Sequence, residues 1–92
     1  MIGLDQRVVR RSNVIGQQVN GEAVLLLPSL GQVKVLNEVG ARLWELLDGQ
    51  PRVRDLIDRI YAEYQIDRQQ VEQDVLAFVT ELQAKELVQV VN

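Results

Sequence analysis

The sequence predicts an α+β domain in which a small three-stranded antiparallel sheet is followed by three helices. Three observations predict it. An Asn20-Gly21 dipeptide sits between β-competent segments, Gln32–Leu36 sets Val33 and Val35 on one face and Lys34 on the other, and three later stretches repeat their apolar residues at helical spacing.

Val8 and Val9 form a short extended segment before a polar patch, and Val14 with Ile15 opens another. Asn20-Gly21 is the pair that most readily takes positive φ at both central positions of a type I′ turn, so a hairpin is expected there. Residues 23–27 are an apolar, β-competent run. Pro28-Ser29-Leu30-Gly31 is turn chemistry, Pro fixing φ and Gly adding freedom. In Gln32-Val33-Lys34-Val35-Leu36 the two valines share one face and Lys34 lies on the other. These segments make an antiparallel meander.

Asn37 is suited to cap a helix over residues 38–48, where Val39, Leu43, Leu46 and Leu47 form one stripe with Trp44 beside it. Gly49 stands where the chain is expected to leave that helix through a left-handed conformation, and Pro51 begins the next segment. Val53, Leu56, Ile57, Ile60 and Tyr64 give a second stripe. Asp67, with Gln70 three residues on, is a near capping box for a third helix carrying Val71, Val75, Phe78, Val79 and Leu82. Leu87, Val88, Val90 and Val91 end in an extended run that can add a short strand. No repeat, low-complexity tract or long linker divides the 92 residues, so residues 1–92 read as a single domain. Three strands beside three helices is a winged-helix-like arrangement.

Composition excludes much chemistry. With neither Cys nor His, the chain lacks thiol nucleophiles, disulfides, soft metal ligands and the commonest general base. Gly31, Gly40 and Gly49 are separated by strand and helix pattern and build no phosphate loop, and Ser12 and Ser29 have no His to activate them. Asp55 and Asp58 share a helix face but alternate with Arg54 and Arg59, which reads as surface ion pairing. An oxygen-rich metal site needs more converging ligands than that. No enzyme activity, metal or cofactor is expected. A net charge of −3 argues against nucleic acid as a partner. The Arg7, Arg10, Arg11 cluster reads as a solvated strand face or, more sharply, a docking surface for an acidic partner. No secretory pattern opens the chain and no apolar stretch approaches 18 residues, so no membrane association and a cytoplasmic location are expected.

Binding remains. An edge strand exposes unpaired N–H and C=O groups, and Gln32–Leu36 holds no Pro and one charge. Lys34 then reads either as a guard against stray pairing or as part of a strand that accepts a partner peptide by β-augmentation.

The run Leu36-Asn37-Glu38-Val39-Gly40-Ala41-Arg42-Leu43-Trp44-Glu45-Leu46-Leu47-Asp48-Gly49 resembles the L-N-x-x-[AG]-x-x-[LI]-[LW]-x-L-x-D-G pattern of PqqD-like proteins. Val24-Leu25-Leu26-Leu27-Pro28 is similar to that family's v-L-L-x-P element. Val53, Leu56, Ile57, Tyr64, Val71, Asp74, Val75, Phe78 and Leu82 stand where its helical core stands. The resemblance spans nearly the whole chain. It implies a winged-helix-like recognition element for precursor peptides that are ribosomally made and post-translationally modified. It further implies that the leader segment of such a precursor adds along the third strand of the meander, through Gln32, Val33, Lys34, Val35 and Leu36. The other wall of the groove is then the third helix, through Val71, Asp74, Val75 and Phe78. Lys34 is implied to pair with an acidic leader residue, and Val75 with Phe78 to line an apolar pocket. Asn37 and Asp48-Gly49 read as helix-terminal residues rather than contacts. Val71, Val75 and Phe78 are expected to divide between core and groove.

The implied partners are a precursor peptide and a modifying enzyme, either a leader peptidase or a radical SAM enzyme. Members from pyrroloquinoline quinone assembly carry a Pro-Glu turn and a following basic residue where this chain has Pro28-Ser29-Leu30-Gly31. The resemblance therefore leans towards the stand-alone recognition proteins of lasso-peptide biosynthesis. Two rivals share the topology. A winged-helix DNA binder would use residues 68–86 as its recognition helix. There Arg68 and Lys85 face Glu72, Asp74, Glu81 and Glu86, the wrong balance for a phosphate-facing element. A homodimer would pair the same edge strand with its own copy.

Overall fold

The computed structural model describes residues 2–27 and 31–92, and the expected turn at Pro28, Ser29 and Leu30 lies outside the described residues. The elements run β1 (Arg7–Arg10), β2 (Ile15–Val19), β3 (Glu22–Leu27), β4 (Gln32–Leu36), α1 (Glu38–Leu46), α2 (Val53–Tyr64), α3 (Arg68–Ala84) and β5 (Val88–Val91). The expected three-stranded antiparallel sheet is β2-β3-β4, followed by the three expected helices. Asn20 and Gly21 adopt φ of 53° and 81° between β2 and β3, the conformation expected of the hairpin turn. One strand expected near the meander lies elsewhere. β1 pairs antiparallel with β5, Val8 opposite Val90, in a second sheet of two strands that joins the two ends of the chain. Val8 and Val88 are buried, so this sheet is part of the core.

Alternation along β3 sends Ala23, Leu25 and Leu27 inward, where they meet Leu36, Leu43 and Trp44. The helical stripes do the rest: Val53, Leu56, Ile57 and Ile60 from α2, and Val71, Val75, Val79 and Leu82 from α3, are all buried. Among the described residues no polar or charged side chain is buried. Asn37 caps α1 as expected, its Oδ1 accepting from the Gly40 N–H at 2.9 Å. Asp67 caps α3 more loosely, accepting from the Gln70 N–H at 3.4 Å.

Two expectations are corrected. α1 ends at Leu46 and tightens into a 3₁₀ turn over Leu47–Gly49, so the left-handed residue is Gln50, with φ 51°, and not Gly49. Arg10 does not lie on a solvated face: its guanidinium stacks 4.8 Å from the centroid of the Trp44 ring, and its Nε donates to the Trp44 carbonyl at 3.1 Å. Arg7 donates to the Gln50 carbonyl at 2.9 Å while staying exposed, so Arg7 and Arg11 are the exposed members of the cluster. The carboxylates of α2 are engaged in surface pairing and capping. Asp58 pairs with Arg68, while Asp55 accepts from the Arg52 N–H at 3.0 Å. No helix among the described residues is long and apolar enough to cross a membrane.

Gly16 is required by a close approach. A Cβ built there would lie 2.7 Å from Trp44 Nε1, nearer than real Cβ contacts allow. Gly16→Ala gains backbone entropy of about 0.4–1 kcal/mol, but displacing the ring costs about 1–3 kcal/mol, so the clash wins. Urea unfolding followed by the fluorescence of Trp44, the single tryptophan, should show a net loss on the order of 1 kcal/mol and a changed native emission.

α1 is clamped to α2 by a two-pronged pair, Arg42 Nε and Nη2 each donating to a Glu63 carboxylate oxygen at 2.8 Å. These bonds hold the Glu63 carboxyl below its ordinary value, and burial opposes them in part. The unfolded chain therefore takes up the Glu63 proton first. The stability from this pair is full above about pH 4.3 and fades as pH falls further. In Glu63→Gln that portion of the acid dependence should vanish in urea melts between about pH 6 and 3.

Candidate functional site

β4 is an edge strand: it pairs with β3, Val24 opposite Val35 and Leu26 opposite Val33, and among the described residues no strand lies on its other side. In an antiparallel ladder, alternate residues of such a strand leave both N–H and C=O without a protein partner. α3 runs alongside, and between the two lies an open groove with two cavities. The larger, about 420 Å³, reaches down between β4 and α3 to Leu43 and Ile60 at its base. The smaller, about 390 Å³, lies towards the end of α3, bounded by Leu25, Gln32, Lys85 and Leu87.

The nine residues expected at the site all border one cavity or the other. Lys34, Val35 and Leu36 from β4, and Val71, Asp74, Val75 and Phe78 from α3, border the larger; Gln32, Val33 and Lys34 border the smaller. Their side chains are not equivalent. Val71 and Val75 are 1% and 0% exposed, core residues whose surfaces form the groove floor, whereas Phe78 is half-buried. Asp74 is exposed and accepts from Gln70 Nε2 at 2.8 Å.

Lys34 and Leu36 point towards α3, so strand alternation turns Val33 and Val35 the other way, and both remain about 60% exposed. These valines offer backbone to the groove and side chains to the outer sheet face. That face is apolar: the register sets Ile15, Leu26 and Val33 in one cross-strand row, all exposed.

Lys34 crosses the groove to pair with Glu81 of α3. The hydrogen bond from Lys34 holds the Glu81 carboxyl below its ordinary value, against some opposition from burial. Lys85 stands 3.4 Å from the same Glu81 oxygen. Glu81 was not anticipated, although it lies three residues beyond Phe78 and seven beyond Asp74, on the same helical face. Val39, Gly40 and Ile66 also border the larger cavity. They come from α1 and the α2–α3 connection, whose approach to β4 no local pattern announces. Among the described residues no cluster of three or more His, Cys, Asp or Glu side chains is placed to hold a metal ion.

An edge strand beside a helix-walled apolar groove defines a class, the winged-helix-like α+β domains that offer a β-strand edge to an extended segment. Within it, this chain belongs to the PqqD family (coenzyme PQQ synthesis protein D), which matches residues 22–88. Among solved structures, TbiB1 in complex with the TbiA(beta) leader peptide is 36% identical, with a TM-score of 0.79 over 88% of this chain and 94% of that one. A lasso peptide synthetase B1 complexed with the leader peptide shares the fold at 24% identity, with a TM-score of 0.79 over 89% of this chain and 96% of that one. The search of curated proteins gives no match. The family resemblance and the fold expected from the sequence are borne out.

Because Val75 is fully buried and Phe78 is not, substitutions at the two positions should behave differently. Val75→Asp buries an unpaired carboxylate and should unfold the domain, or lower its stability by several kcal/mol. Phe78→Ala should cost about 1–2 kcal/mol and leave the far-UV circular dichroism of the native state intact.

Proposed function

We propose that this chain is a non-catalytic recognition domain that binds the leader segment of a ribosomally synthesised precursor peptide and presents that precursor to modifying enzymes. The observation that carries this reading is the open edge of β4 facing α3 across the groove. The leader would add as a strand along Gln32, Val33, Lys34, Val35 and Leu36. Phe78 and the floor made by Val71 and Val75 would receive its apolar side chains, with Asp74 at the rim. Support comes from the PqqD family match and from the 36% identity to TbiB1, which was solved with a leader peptide.

The energetics suit a tether. A net backbone hydrogen bond contributes about 0.5–1.5 kcal/mol and a buried apolar side chain about 1.5–3 kcal/mol. Four or so bonds with one or two anchors must offset the ordering of a flexible peptide. The balance falls at roughly −8 to −10 kcal/mol, micromolar to sub-micromolar. Holding the leader raises the effective concentration of the attached core peptide at the enzyme to roughly millimolar. The domain itself need not touch the bond that changes.

The enzyme partner in this reading is a separate leader peptidase of lasso-peptide biosynthesis, working in the cytoplasm. The family description supports a second reading, a chaperone of pyrroloquinoline quinone assembly acting with a radical SAM enzyme. The exposed row of Ile15, Leu26 and Val33 is the surface such an enzyme, or a second copy of the chain, would cover.

Two measurements test the leader reading. In fluorescence anisotropy with the labelled TbiA(beta) leader, the peptide bound by the 36% identical TbiB1, Phe78→Ala should weaken binding about ten-fold. Arg59→Ala should change nothing, because Arg59 pairs with Glu63 on α2, away from the groove. Equal affinities for both variants would remove this site assignment. Hydrogen exchange provides the backbone test: the leader should slow exchange of amides within Gln32–Leu36 and leave those of β1 unchanged.

A further inference from the structure

The two cavities of the groove meet at Lys34, and its ion pair with Glu81 spans the space between β4 and α3. Any strand laid along β4 must pass this pair. Inward side chains of a strand repeat every second residue, about 7 Å apart. One inward side chain of such a strand therefore lies over the pair while its neighbours two positions away reach the cavities on either side.

The pair is built unequally. Glu81 has a second cation in Lys85, 3.4 Å away and one turn along α3. Lys34 has Glu81 as its one carboxylate partner among the described residues. Both side chains are part-exposed, 27% for Lys34 and 44% for Glu81, so parting them strands no buried charge.

We infer that Lys34 selects a leader carboxylate, an Asp or Glu that takes the place of Glu81 on the Lys34 ammonium while Glu81 falls back on Lys85. This rests on the leader reading given above, and what it adds to the pairing implied for Lys34 is the competition with Glu81 and the spacing of the bound segment: an acidic residue with apolar residues two positions away. One carboxylate–ammonium contact is exchanged for another, and Glu81 acts as the internal competitor that keeps Lys34 paired when no leader is present.

The test uses two labelled peptides: the TbiA(beta) leader bound by TbiB1, and a copy with every Asp and Glu changed to Asn or Gln. Anisotropy at low salt is read for the wild-type chain, Lys34→Met and Glu81→Gln, each checked for folding by circular dichroism. Lys34→Met keeps the apolar stem and should weaken the acidic leader about three- to ten-fold. Glu81→Gln removes the competitor and should tighten it about two- to three-fold. The neutral copy should bind all three proteins alike. If both substitutions weaken binding, the pair stays closed beneath the leader as a fixed crossbar and the exchange is wrong. If Lys34→Met weakens the neutral copy as much as the acidic leader, no carboxylate is being selected. A wild-type chain that binds neither peptide would instead overturn the leader reading, and the exchange with it.

Discussion

The organisation of this domain depends on a backbone ladder that stops at β4. Each strand edge in a protein must be paired, covered or left to water, and this chain leaves one to water beside an apolar groove. β2, the opposite edge of that sheet, is exposed along its length, whereas the two ends of the chain are tied together. β1 and β5 pair with each other, and β1 is further tied to the start of α2 by the Val8 N–H donating to the Pro51 carbonyl at 2.9 Å. Joining the chain ends in this way fixes α3, because β5 follows it directly and Leu87 and Val88 are buried. The open edge is therefore flanked by a wall that is anchored at both ends.

α3 serves two purposes with one periodicity. Val71, Val75, Val79 and Leu82 recur at spacings of three and four and lie in the core. Asp74, Phe78 and Glu81, offset by one position from that stripe, border the groove. A substitution on the core stripe thus acts on the site through stability, whereas one on the offset stripe acts on it directly. The same division accounts for Val71 and Val75 being core and groove floor at once.

Much of this was legible in the sequence because it is local. Asn20-Gly21 specifies a turn by its own φ preferences, Asn37 specifies a helix start by its own side chain, and the alternation of Gln32–Leu36 fixes which residues share a face. Which face turns inward is a tertiary matter. Nothing within Val33-Lys34-Val35 says that the lysine, and not the valines, faces the helix. The pairing of β1 with β5 joins segments some eighty residues apart, and both read simply as short apolar runs. Arg10 looked solvated because charge was its one local attribute. Its place over Trp44 comes from the packing of β1 against the end of α1. Gly49 was given the left-handed position that Gln50 holds, because a 3₁₀ extension shifts a helix end by a residue without leaving a mark in composition.

The polar groups around the groove bear on how it would work. Asp74 is held by Gln70, and Glu81 is shared between Lys34 and Lys85, so each carboxylate already has partners within the domain. Such groups favour an arriving peptide by exchanging contacts more than by gaining new ones, and exchange contributes little net free energy. Affinity in the proposed complex must then come from the unpaired backbone of β4 and the apolar floor, and discrimination from the charges. An edge strand alone accepts any extended segment, since backbone hydrogen bonds carry no sequence. Selectivity requires an element that tells one side chain from another, and Lys34, which gains a new carboxylate from an acidic residue and otherwise keeps Glu81, is such an element in the proposed complex.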